Sequence, residues 1–372
     1  MAKIHVVWRG PVKRATGLGI ASREYVSALR KQGVNVKVNT GESSRYTKKD
    51  GSKKRNVLIY HLLPQKLNMK RERKQFDRII LNTVWETTRI PRSWFPKINQ
   101  FDTVCVPTTQ NKIALRQSGV KVPIFIVPHG VHSEKFKPGN KKYHLPIAKG
   151  RFVFVSVFGF QHRKNPETLL RAYWKEFSAN DKVLLVIKTN GYTRHETGQW
   201  IRNRIESYKK RLGFSKKTAP IVVITEHMSP AKLKGIYTLG DVFVLPTRGE
   251  GVGLPFMEAL SSGVPVITTG WGGHMDFLNH GNSFFIKYKL QKPQISMNSK
   301  HAIARKFRSL FSGKDQRWAE PDLISLRSKM RFAFHHPRIC KVKGKQGRLD
   351  MKKLSWYRAG AALKKIVGMK KI

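Results

Sequence analysis

The stretch of sequence that decides the fold is PTRGEGVGLPFMEALSSGVPVI, residues 246–267. It follows an apolar run, Asp241–Leu245, that predicts a buried strand, and it leads into another such run, Val264–Thr268. Between the two runs lie closely spaced glycines and a helical segment with Pro255 in its first turn, where a missing N–H carries no penalty. Strand, glycine turn, helix and strand together place a helix N-terminus at the carboxyl edge of a parallel sheet.

This edge predicts a site for a ligand that carries both phosphate and hydroxyl groups. Backbone N–H groups at a helix N-terminus bind anions well. The turn also carries Glu250, which can reach into a crevice, and Glu258 lies deeper along the helix. Because carboxylates suit sugar hydroxyls, the combination predicts a nucleotide-sugar. The alternative is an ordinary doubly wound domain, in which glycine turns and helix glutamates are common.

Short apolar runs recur along the chain at the spacing of an α/β fold. The first series of predicted strands comprises Lys3–Trp8, Val34–Val38, Val57–Tyr60, Arg78–Thr83, Thr103–Val106 and Ile124–Val127, with a helix over Ala21–Gln32. A polar stretch from Phe136 to Gly150 then predicts a linker near residue 140. The second series comprises Phe152–Phe158, Val183–Lys188, Ile221–Thr225, Asp241–Leu245 and Val264–Thr268. After Asn298 the chain is predicted to be helical and basic, ending in Leu354–Val367.

The composition is that of a globular protein. The 372 residues are 40% hydrophobic and 10% aromatic, which is enough for two domains with cores of their own. No apolar run approaches the length of about 18 residues that a membrane-spanning helix needs. Cys105 and Cys340 lie far apart without metal-ligand spacing, which favours reduced thiols and a cytoplasmic location.

The charge of the chain is unusual. Lys and Arg number 73 against 22 Asp and Glu, for a formal net charge of +51. Such an imbalance favours a polyanionic partner such as nucleic acid or anionic lipid, whereas a generally basic background is the alternative. Basic residues are spread along the whole chain, and they are denser in Arg45–Arg78 and in the tail from Arg338. The location could therefore be peripheral to an anionic membrane or to nucleic acid.

The spacing of Glu250 and Glu258 resembles the E-x7-E signature of retaining glycosyltransferases, in particular family 4. The resemblance extends over nearly the whole chain and implies the GT-B fold. In that fold two Rossmann-like domains face a central cleft, and a C-terminal helix crosses back to the first domain. The predicted parts are an acceptor-side domain over residues 1–140, a nucleotide-sugar-binding domain over 150–345 and a basic C-terminal helix over 350–372.

The resemblance also implies residues for the donor. Arg163 and Lys164, just before the predicted helix cap Asn165, are expected to hold its diphosphate, and Glu250 its sugar hydroxyls. His61, at a strand end, is a catalytic candidate that could orient acceptor or donor, although a lone histidine there is more often structural. The other donor-binding candidates are the first glycine turn (Gly17, Gly19), a strand end (Thr225, Glu226), the second turn (Gly251, Val252, Gly253, Leu254) and the ribose-holding Glu258.

The predicted function is therefore a retaining, metal-independent hexosyltransferase that uses a donor such as a UDP- or GDP-hexose. No cofactor or metal is expected, because the cations of Arg163 and Lys164 can replace a divalent ion. The acceptor is left open among a glycan, a wall polymer, a protein and nucleic acid. The alternative function is a polyanion-binding protein on a GT-B scaffold whose catalysis is weak or lost.

Overall fold

The structure is a computed structural model that describes residues 4–39, 55–214 and 217–369. The chain divides into two compact units, Met1–Val131 together with Leu354–Ile372, and His132–Lys353. The division thus falls at residues 131 and 132, whereas the sequence predicted a linker near 140. The residues predicted as a single C-terminal helix, 350–372, are also divided, because the boundary at Lys353 separates the end of one helix from the next.

The first unit is built on one parallel sheet. Its strands, in chain order, are β1 (Ile4–Arg9), β2 (Asn35–Asn39), β3 (Arg55–Tyr60), β4 (Arg78–Asn82), β5 (Thr103–Val106) and β6 (Ile124–Ile126). They pair in the order β2-β1-β3-β4-β5-β6, and every pair is parallel. The helices of this unit are α1 (Gly17–Lys31), α2 (Met69–Arg73), α3 (Thr109–Gln117) and, from the end of the chain, α11 (Trp356–Gly368).

Helix α11 packs closely on α1. A Cβ placed on Gly360 would lie 2.7 Å from the Cβ of Ala28, so the two helix backbones touch where these small residues meet. Leu363, Ile366 and Val367 are buried along the same side of α11. The predicted return of the last helix to the first domain is confirmed.

The second unit contains another six-stranded parallel sheet. Its strands are β7 (Phe152–Gly159), β8 (Val183–Asn190), β9 (Ile221–Ile224), β10 (Val242–Leu245), β11 (Val266–Thr269) and β12 (Ser283–Ile286). They pair in the order β12-β11-β10-β7-β8-β9. The helices are α4 (Pro166–Glu176), α5 (Gly198–Arg211), α6 (Pro230–Leu239), α7 (Leu254–Ser261), α8 (Pro293–Met297), α9 (Leu323–His335) and α10 (Pro337–Lys352). The predicted pair of Rossmann-like parallel sheets is thus confirmed.

The prediction of a helical chain after Asn298 was wrong for its first part. Trp318–Pro321 forms a strand, β14, that pairs antiparallel with β13 (Tyr288–Gln291). Trp318 is fully buried in this two-stranded ribbon, and long helices resume only at Leu323, behind the cap Asp322. The segment has no apolar run that would predict a strand, and its buried contacts come from Trp318 and from pairing with β13.

Among the described residues, no helix is both long and apolar enough to span a bilayer. Cys105 and Cys340 are both free and buried, and burial raises the pKa of each thiol to about 12. Part of the predicted basic cluster, namely Arg45, Lys48, Lys49, Lys53 and Lys54, lies outside the described residues.

Candidate active site

The strand order of the second unit brings two of its loops to one point. β7 and β10 are neighbours at the centre of the sheet, and the order of the strands reverses between them. The carboxyl ends of such a pair form the crevice in which open α/β sheets bind their ligands. The loop after β7 carries Arg163 and Lys164, and the loop after β10 carries Glu250.

These three predicted residues meet in a buried ion cluster. Lys164 Nζ lies 2.5 Å from Glu250 Oε1, and Arg163 Nη1 lies 3.3 Å from Glu250 Oε2. The Arg163 guanidinium also donates a hydrogen bond to the Gly249 carbonyl. Burial by itself raises the pKa of a carboxyl group, but the charge of Lys164 and then that of Arg163 lower the pKa of Glu250 to about 2. Glu250 is therefore a carboxylate at any physiological pH.

The helix after Lys164 begins as predicted. The Asn165 side chain accepts a hydrogen bond from the Thr168 N–H at 3.2 Å, and Pro166 occupies the first turn. Asn165 itself has φ +60°, which turns the chain sharply between the cations and α4. The cap thus fixes the direction in which Arg163 and Lys164 leave the backbone.

A second buried ion cluster, centred on Arg248, lies behind the first. Its guanidinium bonds Glu320 through Nε at 2.6 Å and Nη2 at 2.9 Å, and its Nη1 bonds Glu167 at 3.0 Å and the His162 carbonyl. The Arg248 N–H donates to the Arg163 carbonyl at 2.8 Å. Arg248 therefore joins the two loops of the crevice to each other and to β14.

The glycine turn before α7 leads into the helix without a side-chain cap. Gly253 has φ +92°, a conformation that favours glycine, and a Cβ there would lie 2.4 Å from the Phe256 ring. No side chain caps α7, and Pro255 lies in its first turn. Gly251, Val252 and Leu254 line this turn, and the end of the helix that favours anions begins here.

The backbone of Glu250 is also held from the next loop along the sheet. The Gly273 N–H donates to the Glu250 carbonyl at 2.8 Å. The following residue, His274, is fully buried, and its Nε2 lies 2.8 Å from the Thr269 carbonyl. Three loops of this sheet, those after β7, β10 and β11, therefore meet at Glu250.

Glu258 bonds a neighbouring helix. The Tyr237 hydroxyl of α6 donates to Glu258 Oε2 at 2.5 Å. Burial raises the pKa of Glu258 to about 7, and the Tyr237 hydrogen bond and nearby His132 only partly oppose this shift. Near neutral pH the side chain therefore exchanges between the acid and the carboxylate.

Thr225 and Glu226 lie away from the cluster at Glu250. They follow β9, the edge strand, and β8 and β7 separate it from β10, a distance of roughly 14 Å. Arg202 Nη1 donates to Thr225 Oγ1 at 3.0 Å and lies 3.6 Å from Glu226 Oε1. The structure thus places this candidate pair with Arg202 at the far side of the sheet.

The candidates of the first unit lie at its own switch point. His61 directly follows β3 beside β1, where the strand order of that sheet reverses. Its Nδ1 lies 2.8 Å from Ser22 Oγ, and the residue is only 2% exposed. Burial, and then His129, lower the pKa of His61 to about 3, so that the ring is neutral at physiological pH. A neutral buried imidazole can orient a group by hydrogen bonding but supplies no charge.

The two glycines of the first turn differ. A Cβ on Gly19 would lie 2.0 Å from the Arg14 carbonyl oxygen, so packing within the turn requires a glycine there whether or not a ligand binds. Gly17 has open space beside its Cα, and nothing inside the described part of this unit demands a glycine. Of these two glycines, only Gly17 has space beside its Cα.

Comparison with known proteins identifies the second unit. Residues 149–311, which include Arg163, Lys164 and both glutamates, match the family described as glycosyl transferases group 1. The matched segment spans less than half of the chain and lies wholly within the second unit. The loops after β7 and β10 both lie inside the segment that matches this family.

Two curated relatives share this group 1 segment. The chain is 25% identical over 181 residues to alpha-monoglucosyldiacylglycerol synthase of Streptococcus pneumoniae, a match that covers 46% of this chain and 38% of that protein. It is 28% identical over 156 residues to D-inositol 3-phosphate glycosyltransferase of Corynebacterium jeikeium, covering 40% of this chain and 36% of that protein. The matches thus span little more than a third of each relative.

A solved structure shows the fold of the whole chain. Anabaena Alr3699/HepE, in complex with UDP and glucose, superposes with a TM-score of 0.67 over 100% of both chains at 10% identity. At this identity the likeness concerns the fold, which is that of the GT-B glycosyltransferases. None of these three proteins supports nucleic-acid binding, the alternative function raised by the charge.

Sequence reasoning missed Arg248 and its partners. Arg248 stands inside the decisive stretch, but its partner Glu320 lies 72 residues away in the strand that was itself missed. Its other partner, Glu167 of α4, bonds Arg248 at 3.0 Å and His162 Nδ1 at 2.6 Å. The available signal was the position of Arg248, three residues after a buried strand and two residues before Glu250.

We expect the titration of Glu258 to make the stability of the protein depend on pH. Because the folded pKa of about 7 exceeds the ordinary 4.5, the protonated form stabilises the fold, fully below pH 4.5 and less as pH rises through 7. Relative to Glu258→Gln, the wild type should lose about 2–3 kcal/mol in its free energy of unfolding between pH 5 and 8. Urea unfolding at the two pH values measures this difference.

The matched control is Glu206→Gln, which alters an exposed glutamate of α5. It should leave the pH dependence of the wild type intact. If Glu258→Gln and the wild type show the same change between pH 5 and 8, Glu258 does not titrate in this range.

Proposed function

We propose that the protein is a retaining hexosyltransferase that transfers a sugar from a nucleoside diphosphate to an acceptor hydroxyl. The observation that carries this proposal is the buried cluster of Arg163, Lys164 and Glu250 at the switch point of the second sheet. It combines two cations for a diphosphate with a carboxylate for sugar hydroxyls.

The transfer reaction requires positively charged groups beside the leaving diphosphate. As the bond to the anomeric carbon breaks, negative charge develops on the departing diphosphate, and preorganised cations stabilise it. Arg163 and Lys164, with the N-terminal end of α7, supply this stabilisation, while Glu250 holds the hydroxyls of the hexose. In retention without a covalent intermediate, the acceptor attacks from the side of the leaving group.

We propose that the reaction needs no metal. Among residues 4–39, 55–214 and 217–369, no group of three or more His, Cys, Asp or Glu side chains is placed to hold a metal ion. The proposal rests on Arg163 and Lys164, which can neutralise a diphosphate directly. A nucleotide-sugar is then the substrate, and no cofactor is needed.

The relatives favour a UDP-hexose as donor and a lipid or small-molecule hydroxyl as acceptor. The name of the pneumococcal relative gives a glucosylated diacylglycerol, that of the corynebacterial one gives inositol phosphate, and the Anabaena protein was solved with UDP and glucose. We add glycans, wall polymers and proteins as further acceptor classes. The buried free thiols of Cys105 and Cys340 favour a cytoplasmic location.

A panel of nucleotide-sugars tests the proposal. UDP-, GDP- and ADP-hexoses are incubated with EDTA, and thermal shift, hydrolysis and the anomeric configuration of the product are measured. We expect one donor to stabilise the protein and to release nucleoside diphosphate without metal, with the configuration retained. Inversion would refute retention, a requirement for Mg²⁺ would refute metal independence, and the lack of any response would refute the function.

A further inference from the structure

One face of helix α10 (Pro337–Lys352) is buried against the rest of the second unit. Cys340, Gly344, Gly347 and Met351 form its buried side. A Cβ on Gly344 would lie 2.0 Å from the Gly263 carbonyl oxygen, and one on Gly347 would lie 2.5 Å from Leu260 Cδ2. These two glycines allow α10 to contact α7 closely, and this contact fixes which residues of α10 point outward.

The outward face carries an apolar stripe. Ile339, Val342 and Leu349 are 38%, 67% and 53% exposed. Their spacing of three and seven residues places them along one line of a helix. Single exposed apolar residues are common on protein surfaces. Three of them in line on one helix form an apolar surface to which a membrane or another protein can bind.

A row of cations borders the stripe. Arg338, Lys341, Lys345 and Lys352 are all exposed and lie on the same flank of the helix. The acidic residue of this helix, Asp350, accepts hydrogen bonds from the side-chain amides of Asn282 at 2.9 Å and Gln346 at 2.9 Å. The exposed half of α10 is thus an apolar stripe with a positive edge.

We propose that the exposed face of α10 binds the surface of an anionic lipid bilayer. An amphipathic helix with lysines beside its apolar stripe lies in the interface, where the apolar side chains enter the acyl boundary and the lysines meet anionic headgroups. Charge complementarity selects this partner, because the whole chain carries +51 and the flank of the stripe is positive. Nucleic acid would engage the lysines but would leave Val342 and Leu349 in water. The proposal does not rest on the transferase activity.

Vesicle co-sedimentation of the full chain tests this surface. The vesicles contain phosphatidylcholine alone or with phosphatidylglycerol, at low and at physiological salt. One variant, Val342→Ser with Leu349→Ser, removes the stripe without changing the charge, and a second replaces Lys341, Lys345 and Lys352 with Gln. The control replaces Lys149, Lys232 and Lys289, three exposed lysines elsewhere in the second unit, with Gln.

We expect the wild type to bind only the anionic vesicles, and less at higher salt. The lysine variant should lose on the order of 100-fold in affinity, since each lysine near an anionic surface contributes roughly fivefold. The serine variant should lose roughly 10- to 100-fold through the apolar area that no longer enters the bilayer. The control should change by less than about threefold, and because all these side chains are exposed, circular dichroism should be unchanged.

Several outcomes would overturn the proposal. If the serine variant binds like the wild type, only charge is recognised and the stripe has no role. If the control variant loses as much affinity for anionic vesicles as the α10 lysine variant, the attraction comes from the total charge and not from α10. If α10 variants reduce binding to duplex DNA while vesicles are not bound, the partner is nucleic acid.

Discussion

Replacing Lys164 with alanine is expected to weaken the binding of nucleoside diphosphate by roughly 10- to 100-fold, as for the loss of one charge-assisted hydrogen bond to a phosphate. Lys164 is held in the crevice by its contact of 2.5 Å with Glu250, so little side-chain entropy has to be lost when the ligand binds. Isothermal titration calorimetry with UDP and GDP measures the change.

Two further variants separate a specific contact from a general effect of charge. Lys232→Ala removes the same charge from an exposed site at the start of α6 and should leave the affinity unchanged. Lys164→Arg keeps the charge and should retain part of the affinity. Equal affinity in Lys164→Ala and the wild type would exclude Lys164 from the donor site.

The sheets could be predicted from the sequence because parallel strands buried on both faces leave a direct signal. Phe152–Gly159 and Val183–Asn190 are runs of apolar residues with few interruptions, and each prediction lies within two residues of the observed strand. Trp318–Pro321 carries no such signal, since it is short, lies between the charged residues Arg317 and Asp322, and is paired in a ribbon rather than in the sheet. Its burial depends on tertiary packing around one tryptophan.

The parts of the candidate site could be predicted, but their pairing could not. The sequence places Lys164 and Glu250 in loops that should meet at one edge, yet they are 86 residues apart and nothing local specifies an ion pair. The same limit hid the contact between Tyr237 and Glu258, which joins two helices. The helix cap at Asn165, by contrast, was predicted correctly, because a cap depends on a hydrogen bond to a residue only three positions away.

Replacing Glu250 with glutamine is expected to lower sugar transfer by about 100-fold while leaving the affinity for nucleoside diphosphate equal or higher. The loss follows from the proposed contact to the hexose, where misplacement of the reacting sugar is costly. The affinity should not fall, because the substitution removes a carboxylate from beside Arg163 and Lys164 and so increases their attraction for an anion. Steady-state kinetics and calorimetry on the same preparation distinguish the two effects.

The same substitution should also lower the free energy of unfolding by about 3 kcal/mol, because it removes the carboxylate that pairs with the buried cations Arg163 and Lys164. The pKa of Glu250 is depressed to about 2, so this contribution is complete above the ordinary value of 4.5 and is lost as pH falls from there toward 2. The difference in the free energy of unfolding between the wild type and Glu250→Gln should therefore be constant from pH 8 to 5 and should decrease below pH 4.5.

A double-mutant cycle decides whether Glu250 acts with Lys164 or independently. If the ion pair is the source of the stability loss, Lys164→Met combined with Glu250→Gln should lower the free energy of unfolding by less than the sum of the two single changes, because the double variant removes both charges of the pair.

Glu250→Asp is the control for position, since it keeps the charge but shortens the side chain by one methylene. It should spare nucleotide affinity and give an intermediate transfer rate. Equal losses of affinity for free nucleoside diphosphate and for nucleotide-sugar in Glu250→Gln would show that Glu250 contacts the nucleotide and not the sugar.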